Sequence, residues 1–124
     1  MIIYVDGATD RVCWVRDTGT RQTSRITYAC DYAPTDKTTS NEGEWFGLVV
    51  ALEDAIDDGY KKATVWMDSQ LVVNQVNGKY KVKAKNLKPL YEIVQKLLED
   101  IEVKVRWVRR EENRAGMLLE RKSW

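Results

Sequence analysis

Hydrophobic and polar residues change period several times along this chain, and each change marks an element. Ile2 to Asp6 is a short β-branched and aromatic run closed by Gly7, which predicts a strand. Segments 11–17 and 22–32 carry Val, Trp, Ile, Thr and Tyr around Asp17-Thr18-Gly19 and predict a hairpin. The polar stretch Pro34 to Asn41 reads as a loop. Trp45, Val49, Leu52 and Ile56, with Leu48 beside them, recur at helical spacing until Asp57-Asp58-Gly59 stops the helix.

The second half alternates. Ala63 to Met67 predicts a strand and Ser69 to Val76 a short helix ended by Asn77-Gly78. Asn86 can cap a helix to about Asp100, with Pro89 in its first turn and Leu87, Leu90, Val94 and Leu97 inward. Ile101, Val103, Val105 and Trp107 alternate with Glu102, Lys104 and Arg106 as a half-buried strand, and Asn113 can cap a last short helix. A hairpin followed by βαβ units implies an α/β fold, a mixed sheet covered by helices. With 124 residues and no linker or repeat, one domain over 1–124 is expected.

Composition narrows the chemistry. The chain is 44% hydrophobic and 31% charged, that of an ordinary globular protein, and no apolar run approaches a membrane span. The opening residues lack the basic n-region of a signal peptide, so a cytoplasmic protein is expected. There is no histidine, which excludes serine-hydrolase triads, histidine metal sites and imidazole bases. Cys13 and Cys30 fit neither a zinc spacing nor a CxxC motif. Two buried thiols is the preferred reading, and a cross-strand disulfide the alternative if their strands are neighbours.

What remains is carboxylate chemistry. Asp6 and Asp68 each close a predicted strand; if those strands are parallel neighbours about 4.8 Å apart, both side chains reach one point. That point lies beyond the carboxyl ends of the strands, where open α/β sheets bind ligands. Glu44 begins the intervening helix and can be laid over the same edge. Three such carboxylates repel unless protonated or neutralised by a cation, and oxygen-only ligands select Mg²⁺ or Mn²⁺. Phosphodiester hydrolysis suits the set, because paired cations hold water and leaving oxygen in line. Taken by themselves, acids at strand ends are also common as solvated turn residues.

At these residues the sequence resembles type 1 ribonuclease H, particularly its compact archaeal-like branch, over most of the chain. The resemblance is carried by Ile3-Tyr4-Val5-Asp6-Gly7-Ala8, by Thr39-Ser40-Asn41-Glu42-Gly43-Glu44-Trp45 and, most specifically, by Asp68-Ser69-Gln70 through Asn77-Gly78. Lys79-Tyr80-Lys81-Val82-Lys83 to Tyr91 and Trp107-Val108-Arg109-Arg110-Glu111-Glu112-Asn113 continue it. It implies a ribonuclease H-like mixed five-stranded sheet flanked by helices. It also implies metal-dependent cleavage of the RNA strand of RNA/DNA hybrids, leaving 5′-phosphate and 3′-hydroxyl ends. Asp6, Glu44 and Asp68 would be the metal ligands, and Asn41 and Gln70 would lie near the minor groove, where 2′-hydroxyls distinguish RNA.

The pattern departs in two places. The family's fourth carboxylate, an aspartate four residues past the turn's asparagine, falls on Met117; a shift of one gives Gly116 or Leu118. A thioether does not match a hard cation. Glu120 or Glu112 could substitute, three carboxylates could suffice, or catalysis could be lost, leaving a module that binds hybrid or double-stranded nucleic acid. The family's Gly/Pro-rich turn after Asp6-Gly7-Ala8 is also missing.

Other features read two ways. Lys79, Lys81, Lys83, Lys85 and Lys88 are a solvated connection or, in the family context, a phosphate-tracking patch. Arg109 and Arg110 can clamp a phosphate or pair with Glu111 and Glu112; Arg110 and Asn113 are retained as substrate-binding candidates. Trp14, Trp45 and Trp66 are expected in the core, Trp107 on the buried face of its strand, and Trp124 packed back or against another subunit. Glu53, Asp54, Asp57 and Asp58 are expected to form a solvated acidic face rather than a second metal site. No protein partner is indicated.

Overall fold

The structure is a computed structural model, which describes residues 1–19, 22–23, 25–33 and 38–120. Five strands, β1 (Ile2–Gly7), β2 (Arg11–Asp17), β3 (Ile26–Tyr32), β4 (Lys62–Met67) and β5 (Glu102–Trp107), form one sheet in the order β3-β2-β1-β4-β5. β1 and β2 are antiparallel, as are β2 and β3; β4 runs parallel to both β1 and β5. The mixed five-stranded sheet expected from the sequence is present, and its helices are α1 (Ser40–Asp57), α2 (Gln70–Val76), α3 (Lys88–Leu97) and α4 (Arg114–Leu119).

Two unequal layers cover the sheet. On one face Ile3, Val5, Val12, Trp14 and Val65 pack beneath Trp45, Leu48 and Leu52 of α1 and Val94 of α3. Trp45 is wholly buried and its indole N–H donates to Gln75 Oε1 of α2 at 3.2 Å. On the other face a small cluster of Cys13, Val15 and Ala115 sits under α4. Among the described residues no helix is long and apolar enough to cross a membrane.

Local chemistry explains the helix ends. Thr39 and Glu42 form a reciprocal capping box, so α1 begins at Ser40, inside the stretch expected as loop. Of that loop, residues 34–37 lie outside the described residues, as does Trp124. Ser69 caps α2, and Gly59 and Gly78 take positive φ at helix exits. Asn86 does not cap α3; Leu87 occupies that position without a side-chain bond, and the Asn86 side chain bonds Glu42 instead.

Several other expectations change. Trp66 is only partly buried, because β4 alternates and presents it on the less covered face. Trp107 is 43% exposed, since β5 is an edge strand, and its indole N–H reaches back to the Asp68 carbonyl at 3.1 Å. Asp54 and Asp58 are not merely solvated: Arg16 pairs with both, at 3.5 and 2.6 Å, and Trp14 donates to Asp54.

Cys13 and Cys30 stand opposite each other in the β2–β3 ladder and are joined by a disulfide. The preferred reading of two buried thiols fails because only Cys13 is buried, while Cys30 lies on the exposed edge strand. Cross-linking positions 17 residues apart restricts the unfolded chain and contributes about 3 kcal/mol.

Candidate active site

The register of the two central parallel strands pairs Val5 with Met67, so the next residue on each is Asp6 and Asp68. The third acid arrives by close backbone packing. A Cβ on Gly7 would collide with the carbonyl of Gly43, and one on Gly43 would collide with the carbonyl of Ala8. Only glycine at both positions lets the first turn of α1 lie directly on the end of β1. Glu44, the residue after Gly43, therefore faces Asp6.

One oxygen from each of Asp6, Glu44 and Asp68 lies within 4.8 Å of the others, and no other acid joins them among the described residues. Asp6 and Glu44 are buried and Asp68 partly so. The Asp6 carboxylate accepts from the Gly7 N–H at 3.0 Å and shares a hydrogen bond with Glu44. Glu44 Oε2 is buried without any hydrogen-bond partner.

Crowding sets the protonation. Loss of solvent, then the hydrogen bond and negative charge of Asp6, then the charge of Asp68, push the Glu44 carboxyl up to about 10. Burial likewise raises Asp6, against the hydrogen bond from Glu44. Without a cation the pair therefore keeps a proton at neutral pH. An orphaned buried oxygen beside two further carboxylates is a donor set that fits a hard divalent cation.

Asn113 holds this arrangement together. Its Nδ2 donates to Val5 O at 3.0 Å and to Asp68 Oδ2 at 2.9 Å, while its Oδ1 accepts from the Ala115 N–H and caps α4. Asn113, expected from the sequence as a substrate contact, is fully buried here, and these bonds hold the Asp68 carboxylate in place. Trp107 steadies the Asp68 backbone from the β5 side.

The cleft over the triad is lined also by Gly7, Ala8, Thr9, Ser40, Asn41, Ser69, Arg110 and Leu119. Asn41 and Arg110 are thus placed beside the acids, and no ion pair joins Arg109 or Arg110 to Glu111 or Glu112. Gln70 is exposed at the start of α2, outside the lining. Lys79, Lys81, Lys83, Lys85 and Lys88 are all exposed. Ser40 and Ser69 lie within the motifs that carry the family resemblance but were given no role there, and Thr9 and Leu119 are marked only by their position in the fold.

α4 contributes no acid. Met117 is 62% exposed and lies in a groove with Ile26, Tyr28, Arg114 and Leu118, away from the triad. The residue facing Asp6 is Gly116, where a Cβ would stand 3.1 Å from Asp6 Oδ2. Counting from the cap Asn113, the third residue and not the fourth points at the site. Glu112 and Glu120 are exposed and bring no carboxylate into the cluster.

A family model described as reverse transcriptase-like matches residues 20–121. The chain belongs to that family. In three dimensions it resembles RNase H1 of the archaeon Halobacterium salinarum, with a TM-score of 0.83 and 27% identity over 95% of this chain and 92% of that one. It is equally similar to LC11-RNase H1, solved with an RNA/DNA hybrid, at a TM-score of 0.81 and 28% identity over 94% and 91% of the two chains. The fold is that of type 1 ribonuclease H, and the chain is homologous to these enzymes in sequence family and structure. In sequence it is 40% identical over 78 residues to the bifunctional protein Rv2228c of Mycobacterium tuberculosis. That match takes in 62% of this chain but only 21% of the longer relative.

Proposed function

We propose that residues 1–124 act as one ribonuclease H-like domain that hydrolyses the RNA strand of RNA/DNA hybrids with Mg²⁺ or Mn²⁺. The observation that carries this reading is the meeting of Asp6, Glu44 and Asp68 within 4.8 Å around an unpartnered Glu44 oxygen. The ribonuclease H fold and the hybrid bound to LC11-RNase H1 support the choice of substrate.

Each residue has a part. Asp6, Glu44 and Asp68 hold the cation, and Glu44 gives up its proton to do so. A bound divalent ion supplies Lewis-acid polarisation of the phosphate and lowers the pKa of water. Arg110, beside the acids, binds the scissile phosphate. Asn41 and Gln70, at the starts of α1 and α2, contact 2′-hydroxyls in the minor groove. Lys79 to Lys88 track the phosphates of the DNA strand, which makes binding salt-dependent.

A second reading has one observation in its favour: α4 turns Gly116, not an acid, toward Asp6. A site with too little negative charge would bind hybrid without cutting it. Cleavage of labelled hybrid, RNA duplex and DNA duplex, each with Mg²⁺, Mn²⁺ or EDTA, separates the two. Metal-dependent cleavage confined to the hybrid and lost in Asp68→Asn supports the enzyme. Hybrid binding with no cleavage in either metal moves the chain to the binding module.

A further inference from the structure

The triad has a covalent neighbour. In the ladder of the sheet Asp6 pairs with Cys13, and Cys13 pairs with Cys30, so the three stand in one row across β1, β2 and β3. Directly paired residues project to the same face of a sheet. That face is covered by α4, whose Ala115 packs with Cys13 and Val15 and whose Gly116 stands against Asp6. One helix turn therefore rests at once on the disulfide and on a proposed metal ligand.

The two sulfurs differ in access. Cys13 is fully buried, whereas Cys30 is exposed on β3, which has β2 as its one neighbour in the sheet. We propose that Cys13–Cys30 is a thiol–disulfide exchange site that sets the affinity of the triad for its cation, with a dithiol as the reductant. This rests on the triad being a cation site, as in the reading above.

The exchange is balanced. A thiolate of the dithiol attacks Cys30 Sγ, the Cys13–Cys30 bond breaks, and the Cys13 sulfur leaves and takes up a proton. The second thiol of the reductant then displaces Cys30. Two electrons pass to the protein, which gains two thiols, and the reductant becomes a disulfide. Two thiols need more room than one bond, and Cys13 has none to yield against Val15 and Ala115. The displacement falls on α4, whose Gly116 packs so near Asp6 that even a Cβ there would stand 3.1 Å from Asp6 Oδ2. In a reducing compartment the pair is kept as thiols, so the cross-linked form marks oxidising conditions.

The test is Mn²⁺ titration of the whole chain, oxidised and then reduced with a dithiol, with thiols counted by alkylation in each state. Cys13→Ala/Cys30→Ala and Asp68→Asn are titrated alongside. The expected result is no free thiol before reduction, two after it, and Mn²⁺ affinity about tenfold weaker in the reduced chain. Re-oxidation should restore it, and the double variant should ignore the reductant. Two free thiols that a disulfide oxidant fails to join would overturn the proposal. So would equal affinity in two verified redox states, which would leave the Asp68-dependent cation site standing. Absence of Mn²⁺ binding in both states would remove the cation site and this inference together.

Discussion

Asp6 lies between two helices that treat it differently. α1 has 18 residues, a capping box and a wide buried face, and it drives Glu44 against Asp6 through the paired glycines 7 and 43. α4 has six residues, one capping asparagine and a cluster of few buried side chains, and it offers Asp6 only the backbone of Gly116. The long helix concentrates charge and the short one leaves space. The site's negative charge is thus built from one side, and its rigidity on the other side depends on Asn113 and the disulfide beneath α4.

The largest effect should come from removing a charge on the crowded side. Asp68→Asn is expected to cut hybrid cleavage by about a thousandfold, several kcal/mol of transition-state stabilisation, while the fold persists by circular dichroism. Asn113→Asp separates the cap from the clamp: an aspartate still accepts from Ala115 N–H but cannot donate to Asp68. Its kcat should fall about 10- to 100-fold with α4 retained, and an unchanged kcat would make Asn113 a cap only. Gly43→Ala pushes a methyl group into the Ala8 carbonyl, so denaturant melts should show a loss of roughly 1–3 kcal/mol.

A pH series sharpens the same contrast. The Glu44 carboxyl sits at about 10 in the folded chain against an ordinary 4.5. A raised folded value means that the folded state holds the proton more tightly. Its stabilising contribution is full below pH 4.5 and is lost as pH climbs toward 10. In EDTA, Glu44→Gln keeps the neutral form, so its Tm should exceed wild type by a margin that grows with pH. The smallest effect belongs to the open side. Gly116→Asp should tighten Mn²⁺ binding a few-fold, since ligand charge tunes affinity, whereas Met117→Asp should leave it unchanged.

Much of this was readable in the chain. Strand and helix order followed from period changes, and the acids at the ends of β1 and β4 were visible because hydrophobic runs stop at Asp6 and Asp68. What was hidden depends on geometry across distant segments. Asn113 reads as a cap, and only the fold shows its other nitrogen bonds reaching 45 and 108 residues away in sequence. Counting along a consensus selected Met117, but a short helix docked by its cap turns Gly116 inward. The alternation of β5 put Trp107 among buried positions, yet an edge strand has too little cover to bury an indole. Two cysteines 17 residues apart gave no pairing until strand register set them opposite.

The most direct test is calorimetric titration of Mn²⁺ into the oxidised wild type and into Asp68→Asn at about pH 7.5, in buffers of different ionisation enthalpy. The account expects saturable binding with release of about one proton, that of Glu44, and its loss in the variant. Binding without proton release, or binding that Asp68→Asn leaves intact, would contradict it.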